Sequence, residues 1–315
     1  HFGGFTVGRN YLDRAAALVD GAAPANEAAL VLRRAGGIWH TTDRPLALNY
    51  LNRSEALYRQ SGDAIGLART LSLIGDCLTH LGDHDAAQNV IKEAVGIIER
   101  TEQYKSRIGL LFQLGRTHHM QCRFAEAERL YASSLELARK LKDPLRENLI
   151  VINIAEAKAN QGNLRAAISL IVKAIATLRQ TSDRSELAHA LVNLASYKIL
   201  NGEEADAETD EALSLTFEEG GYWFLSELQL CALIGAKEGR LQDAATMTAY
   251  VDIGFTRGGD RRQPLELEIR ERIAQQIDNV EGDTDLATLW TENDAVEFVR
   301  RRLVPQPCAL IEAAD

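Results

Sequence analysis

Histidine and cysteine are grouped at two places in this chain: Cys77, His80 and His84 stand close together, and so do His118, His119 and Cys122. Imidazole nitrogen and thiolate sulfur are the preferred ligands of a tetrahedral zinc ion. A histidine near a helix C-terminus is equally accounted for by the helix dipole, and turns interrupt the ligand spacing here. The expectation is therefore no metal, with Cys77, His80, His84, His118 and Cys122 as the residues that would hold one. Carboxamides form a second set. Gln113, Asn153 and Asn193 recur at intervals of 40 residues. Each offers both a donor and an acceptor, so a row of them can hold an extended peptide backbone. They can equally be solvated, or hydrogen-bond between neighbouring helices. Asp76, Arg116, Glu156 and Ser196 fall on the same face, joined by Arg69, Phe112, His119, Ile152 and His189. That mixture of charge, amide and apolar groups suits a peptide or protein segment.

The sequence carries no recognisable catalytic motif. GGFTVGRN, Gly3 to Asn10, imitates a phosphate-binding loop, but Arg9 and Asn10 replace the lysine and hydroxyl and no strand can precede it. Neither a G-x-S-x-G elbow nor an H-E-x-x-H helix occurs. The acid pairs Glu203–Glu204 and Glu218–Glu219 are expected in turns, as solvated surface. No catalytic residue, no cofactor and no enzyme activity are expected.

The elements that position these residues follow from an internal repeat. LGDHDAA starts at Leu81, QCRFAEA at Gln121, QGNLRAA at Gln161, NGEEADA at Asn201 and EGRLQDA at Glu238, with spacings of 40, 40, 40 and 37. Gly82, Cys122, Gly162, Gly202 and Gly239 mark the turns. Alanine follows each at Ala87, Ala127, Ala167, Ala207 and Ala244, and Gly75, Gly115, Ala155, Ala195 and Ala232 precede them. Ala35, Thr42 and Ala47 supply an earlier unit. Glycine admits the left-handed geometry of a helix end, and Asp83 and Asn163 suit the start of the next helix. The small residues let two helices approach closely. Leu71, Ile74 and Leu78 before one turn, and Ile91, Ala94 and Ile98 after it, keep helical phase.

A single helical hairpin cannot bury both apolar faces, so such units stack. The expected fold is all-α: a right-handed α-solenoid of helix-turn-helix repeats with a period near 40, closed by a helical C-terminal cap. The expected divisions are 1–253 for the superhelix, with turns near 42, 82, 122, 162, 202 and 239, then 254–303 for capping helices and 304–315 for a tail. Thr6 to Asp20 reads as the second helix of a partial first unit. Gly254 to Pro264 reads as a loop, followed by helices over Leu265 to Ile277 and near Leu286 and Ala295. The first helices of the units are expected to line a concave groove.

Apolar residues make up 46% of the 315 and charged ones 25%, the balance of a globular protein. A net charge of −10 argues against direct contact with nucleic acid or an anionic membrane. No apolar run is long enough for a membrane span. Four scattered cysteines suit a reducing, cytoplasmic location. The chain begins with His1, which suits a fragment of something longer.

The units resemble tetratricopeptide-type repeats, although Cys122 stands where glycine is usual and the period exceeds the common ~34 residues. The opening run FGGFTVGRNYLDRAAALVDGAAPANEAALVLRRAGGIW goes further, as do ALYRQSGD, LGDHDAA and the ending WTENDAVEFV with Trp290, Glu292, Ala295 and Val296. Together they are similar to the C-terminal repeat region of bacterial multidomain regulators built on a signal-transduction NTPase. The resemblance implies a non-catalytic sensing region that binds a peptide or protein segment in its groove. It also implies an upstream NTPase and a winged-helix or other DNA-binding portion as partners, with homo-oligomerisation open. In tetratricopeptide-like sensors matching amides bind peptide backbones. The alternative is a free-standing adaptor or chaperone scaffold using the same groove.

Overall fold

The computed structural model describes Arg14 and residues 24–40, 43–100, 104–181, 183–219, 222–258 and 262–303. The expectations for Gly3 to Asn10, Thr6 to Asp20, Thr42 and the tail lie outside these. In chain order the helices are α1 (Ala25–Trp39), α2 (Arg44–Ser61), α3 (Ala64–Leu81), α4 (His84–Ile98), α5 (Tyr104–Met120), α6 (Phe124–Lys140), α7 (Pro144–Asn160), α8 (Leu164–Leu178), α9 (Arg184–Leu200), α10 (Asp206–Glu219), α11 (Tyr222–Lys237), α12 (Leu241–Gly258), α13 (Pro264–Gln276), α14 (Thr284–Leu289) and α15 (Glu292–Arg302). No strand occurs among the described residues. The fold is an all-α array of stacked hairpins. Its period is plain in α3, α5, α7 and α9, which begin at Ala64, Tyr104, Pro144 and Arg184.

Two compact units divide the chain, His1–Asn153 and Ile154–Asp315, with the boundary inside α7. In the first, α1 pairs with α2, α3 with α4 and α5 with α6, while α3 also packs on α5. In the second, α9 pairs with α10 and α11 with α12. There α8 and α11 both pack on α9, α13 packs on α11, and α15 rests on α10, α11 and α12.

The turns at residues 82, 162, 202 and 239 are built by the same backbone chemistry. Gly82, Gly162, Gly202 and Gly239 all take φ near +80°, with Gly162 at 79°. At Gly162 the amide donates to Ala159 O at 2.8 Å and the Asn163 amide to Lys158 O at 2.9 Å, the paired bonds that satisfy a helix's last carbonyls. Asn163 then accepts from Ala166 N at 3.4 Å, and Asp83 from Ala86 N at 3.2 Å, capping the next helix. Cys122 makes the same turn at φ 59°, where a side chain is disfavoured.

Two glycines set the approach of the helices. A Cβ on Gly75 would stand 2.4 Å from Ile91 Cγ1, and one on Gly115 would stand 2.6 Å from Tyr131 Cε1. Ile91 and Tyr131 are wholly buried, so neither can withdraw. Two sequence expectations differ from the structure. The segment from Gly254 does not loop at once: α12 continues to Gly258, because Gly254 is a contact point, its missing Cβ leaving room for Leu225. Glu218 and Glu219 are the last residues of α10, not a turn.

Gly115→Ala is expected to destabilise the protein by about 1–3 kcal/mol in urea unfolding, because the methyl group overpacks the Tyr131 ring. Gly96 in α4 has nothing within 4 Å of an added Cβ, so Gly96→Ala should instead add about 0.5–1 kcal/mol. Cys122→Gly should add roughly 1 kcal/mol in the same assay by relieving a left-handed non-glycine residue.

Candidate functional site

In the first unit the expected residues lie on α3, α5 and α7. Arg116 Nη1 reaches Asp76 Oδ1 at 3.2 Å, and its Nη2 meets His80 Nε2 at 2.9 Å. These charges tie α5 to α3. Burial and the Arg116 charge push the His80 imidazole down to about 4. Ser72 donates to Gln113 Oε1 at 2.7 Å, which turns the Gln113 carboxamide nitrogen to other acceptors. Phe112 is half-buried with its ring 5.6 Å from that of Tyr131. Arg69 is exposed. His119 is buried edge-on against Phe124 at 5.2 Å, inside its own hairpin, and its imidazole is pushed down to about 4 by burial and by Arg116. Ile152 is wholly buried. Asn153 is buried and donates back to Leu149 O in its own helix at 2.9 Å.

In the second unit Glu156, Asn193 and Ser196 line one small cleft with Trp223, Ser226, Gln263 and Glu266. Ser196 spends its hydroxyl on Val192 O at 2.8 Å. Asn193 is 6% exposed, and its Nδ2 has no acceptor. His189 is equally buried and stacks on Trp223 with ring centroids 3.8 Å apart, while its Nε2 has no partner. The start of α13 lies against this cleft. Gln229 donates to Glu266 O at 2.7 Å and accepts from Arg262 Nε at 2.6 Å. Ser226 donates to the Glu266 carboxylate, and the Gln263 carboxamide donates to Glu156. Trp223, Ser226 and Gln229 were not anticipated. The last repeat is shortened to 37 residues, and applying that spacing to His189 points to Ser226.

Residues 26–100, and again 66–140, match the tetratricopeptide repeat family model. No curated protein matches the sequence. Solved structures do match the fold. A Rap protein complexed with competence and sporulation factor superposes with TM-score 0.63 at 16% identity, over 92% of this chain and 81% of that one. The Rap conjugation gene regulator of plasmid pLS20, in complex with the Phr* peptide, gives 0.62 at 13% identity, over 87% and 72%. A signal transduction ATPase with numerous domains from Pyrococcus horikoshii, which carries a tetratricopeptide repeat sensor, gives 0.52 at 14% identity. That match covers 89% of this chain and 45% of the other. At these identities the likeness establishes the repeat fold.

The repeat turns do not bring the candidate metal ligands together. Among the described residues no group of three His, Cys, Asp or Glu side chains could hold an ion. Cys77 is buried in the hydrophobic core of the first unit, its thiol pushed up to about 12 by desolvation and Asp76, so it is no thiolate. His80 is held by Arg116, and Cys122 is exposed at its turn. Cys231 is likewise raised by complete burial beside Glu227. What the face offers is hydrogen-bonding capacity. Among the described residues no helix is long and apolar enough to cross a membrane.

The depressed His119 has a consequence for stability. Its folded value near 4 lies below the unfolded value near 6.5, so the unfolded chain binds the extra proton. Stability should be complete above about pH 6.5 and fall towards about pH 4, with His119 contributing on the order of 3 kcal/mol. Urea unfolding of His119→Gln across this range should show a shallower acid slope than the parent.

Proposed function

We propose that this chain is a non-catalytic repeat region that binds a peptide or protein segment along the face of its first helices. We further propose that it serves a larger bacterial regulator, where occupancy of the face controls an upstream NTPase and DNA-binding portion. The observation that carries the binding reading is the buried pair of polar atoms, Asn193 Nδ2 and His189 Nε2, that no described residue satisfies. A buried donor without an acceptor costs about 1–3 kcal/mol, and a bound backbone carbonyl is the group that would recover it. The same neighbourhood already handles main chain: Gln229 holds the Glu266 carbonyl as a ligand-binding carboxamide would. Two of the similar folds are in complex with a named factor or peptide, and a third is described as a sensor on a signal-transduction ATPase, which supports the regulator reading.

The test exploits opposite signs. Asn193→Ala removes an unsatisfied amide, so thermal unfolding should be unchanged or raised by about 1 kcal/mol. Retention of peptides from a random pentapeptide pool on the immobilised 315-residue chain should fall about threefold to tenfold, the worth of one hydrogen bond. Loss of stability with full peptide retention would make Asn193 a structural residue and sink the proposal. The regulator part is checked on the reading frame upstream of His1, where a phosphate-binding loop is expected.

A further inference from the structure

The first unit carries a second cleft, of about 250 Å³, distinct from the Asn193 neighbourhood. Arg33 of α1, Arg69 of α3 and Arg146 of α7 all line it, and among the described residues no aspartate or glutamate does. Leu73 and Leu110 form apolar wall, with the Ser72 hydroxyl beside them. A Cβ on Gly109, another lining residue, would meet nothing within 4 Å, so the cleft is open there.

Two of these cations are uncommitted. Among the described residues Arg33 and Arg69 make no ion pair, and Arg33 Nε is buried without an acceptor. Elsewhere arginines are tied down: Arg59 spans Glu55 and Glu93, Arg270 meets Asp252, and Arg116 meets Asp76. Arg146 is partly engaged, 3.7 Å from Asp143. Arg33 and Arg69 also border a cleft containing Glu27 and Asp63, neither within ion-pairing reach of them. In a chain with net charge −10, three guanidinium groups in a cleft whose described lining holds no acid are a local reversal of sign. Guanidinium forks match carboxylates geometrically.

From this we infer that the first-unit cleft selects an acidic peptide segment, a carboxylate seated on Arg33 and Arg69 with an apolar neighbour against Leu73 and Leu110. The inference rests on the peptide reading above and names its ligand class. The apolar wall favours a peptide over a free inorganic anion, which would have no use for it. Arg33 also falls on the sequence row of Leu73, Gln113, Asn153 and Asn193, two residues before the small marker Ala35.

The experiment passes a random pentapeptide pool, made both as free acids and as C-terminal amides, over the immobilised chain at low and high salt. Expected is enrichment of Asp and Glu among retained peptides, several-fold at low salt and weakened at high salt. Arg33→Gln with Arg69→Gln should abolish the enrichment, with about tenfold lower retention of the acidic peptides. Arg33→Lys with Arg69→Lys should restore part of it, which keeps the test decisive if the glutamines impair folding. Enrichment in the amide pool assigns the carboxylate to a side chain, and enrichment only in the free-acid pool assigns it to a peptide C-terminus; both support the inference. Retention without acidic preference overturns it while sparing the peptide reading. Failure to retain any peptide overturns both.

Discussion

The closeness of paired helices governs the rest of this molecule. At Gly75 against Ile91 and Gly115 against Tyr131 there is no space for even a methyl group. Helices that close make a thin hairpin whose apolar residues cannot all be buried within it, so neighbouring hairpins must supply the remaining cover. Gly66 extends the rule between hairpins, since a Cβ there would stand 2.3 Å from the Tyr58 ring of α2. Stacking then brings residues about one period apart side by side. Thr79 meets Thr117 at 2.9 Å, Ser72 meets Gln113, and Asp76 meets Arg116. The polar ties between repeats are thus consequences of a steric limit inside each repeat.

This hierarchy explains what could be read from the sequence. The steric limit leaves small residues at fixed phase, and the turn needs left-handed backbone, so hairpins, period and fold class were all legible. Cys122 shows the turn geometry is set by the array, because the chain adopts φ 59° there without glycine. Glycine itself is ambiguous in sequence: Gly254 looked like a break and is a packing contact beneath Leu225. The candidate face was legible only as a row of positions. Whether a carboxamide looks outward depends on competing acceptors, and Asn153 takes Leu149 O within its own helix while Asn193 takes nothing. His119 shares the side-chain phase but is drawn under Phe124. Trp223 and Gln229 escaped notice because the final repeat loses three residues, shifting every later position against the earlier frame.

Burial also separates structural charge from spare charge. Glu227 is completely buried, and desolvation raises its carboxyl well above the usual range, while Cys231 donates to it. Burial of that kind favours the uncharged form of an acid. Arg33 has no such route, since a guanidinium offers donors only. Its buried Nε must find an acceptor or remain a cost. Asn193 is in the same position with a neutral amide.

Such costs are tolerable in a stacked array because every added hairpin contributes its own interface. Stability sums over neighbours, and no single polar residue has to carry the core. In a small globular domain an unsatisfied buried group would consume a large part of the net stability. Repetition therefore lets the face of the first helices keep unsatisfied polar atoms while the second helices and the turns hold the fold. On this view Asn193 and Arg33 are unsatisfied because the array can bear it, and a ligand that supplies their missing acceptors gains free energy that the apo fold has left unused.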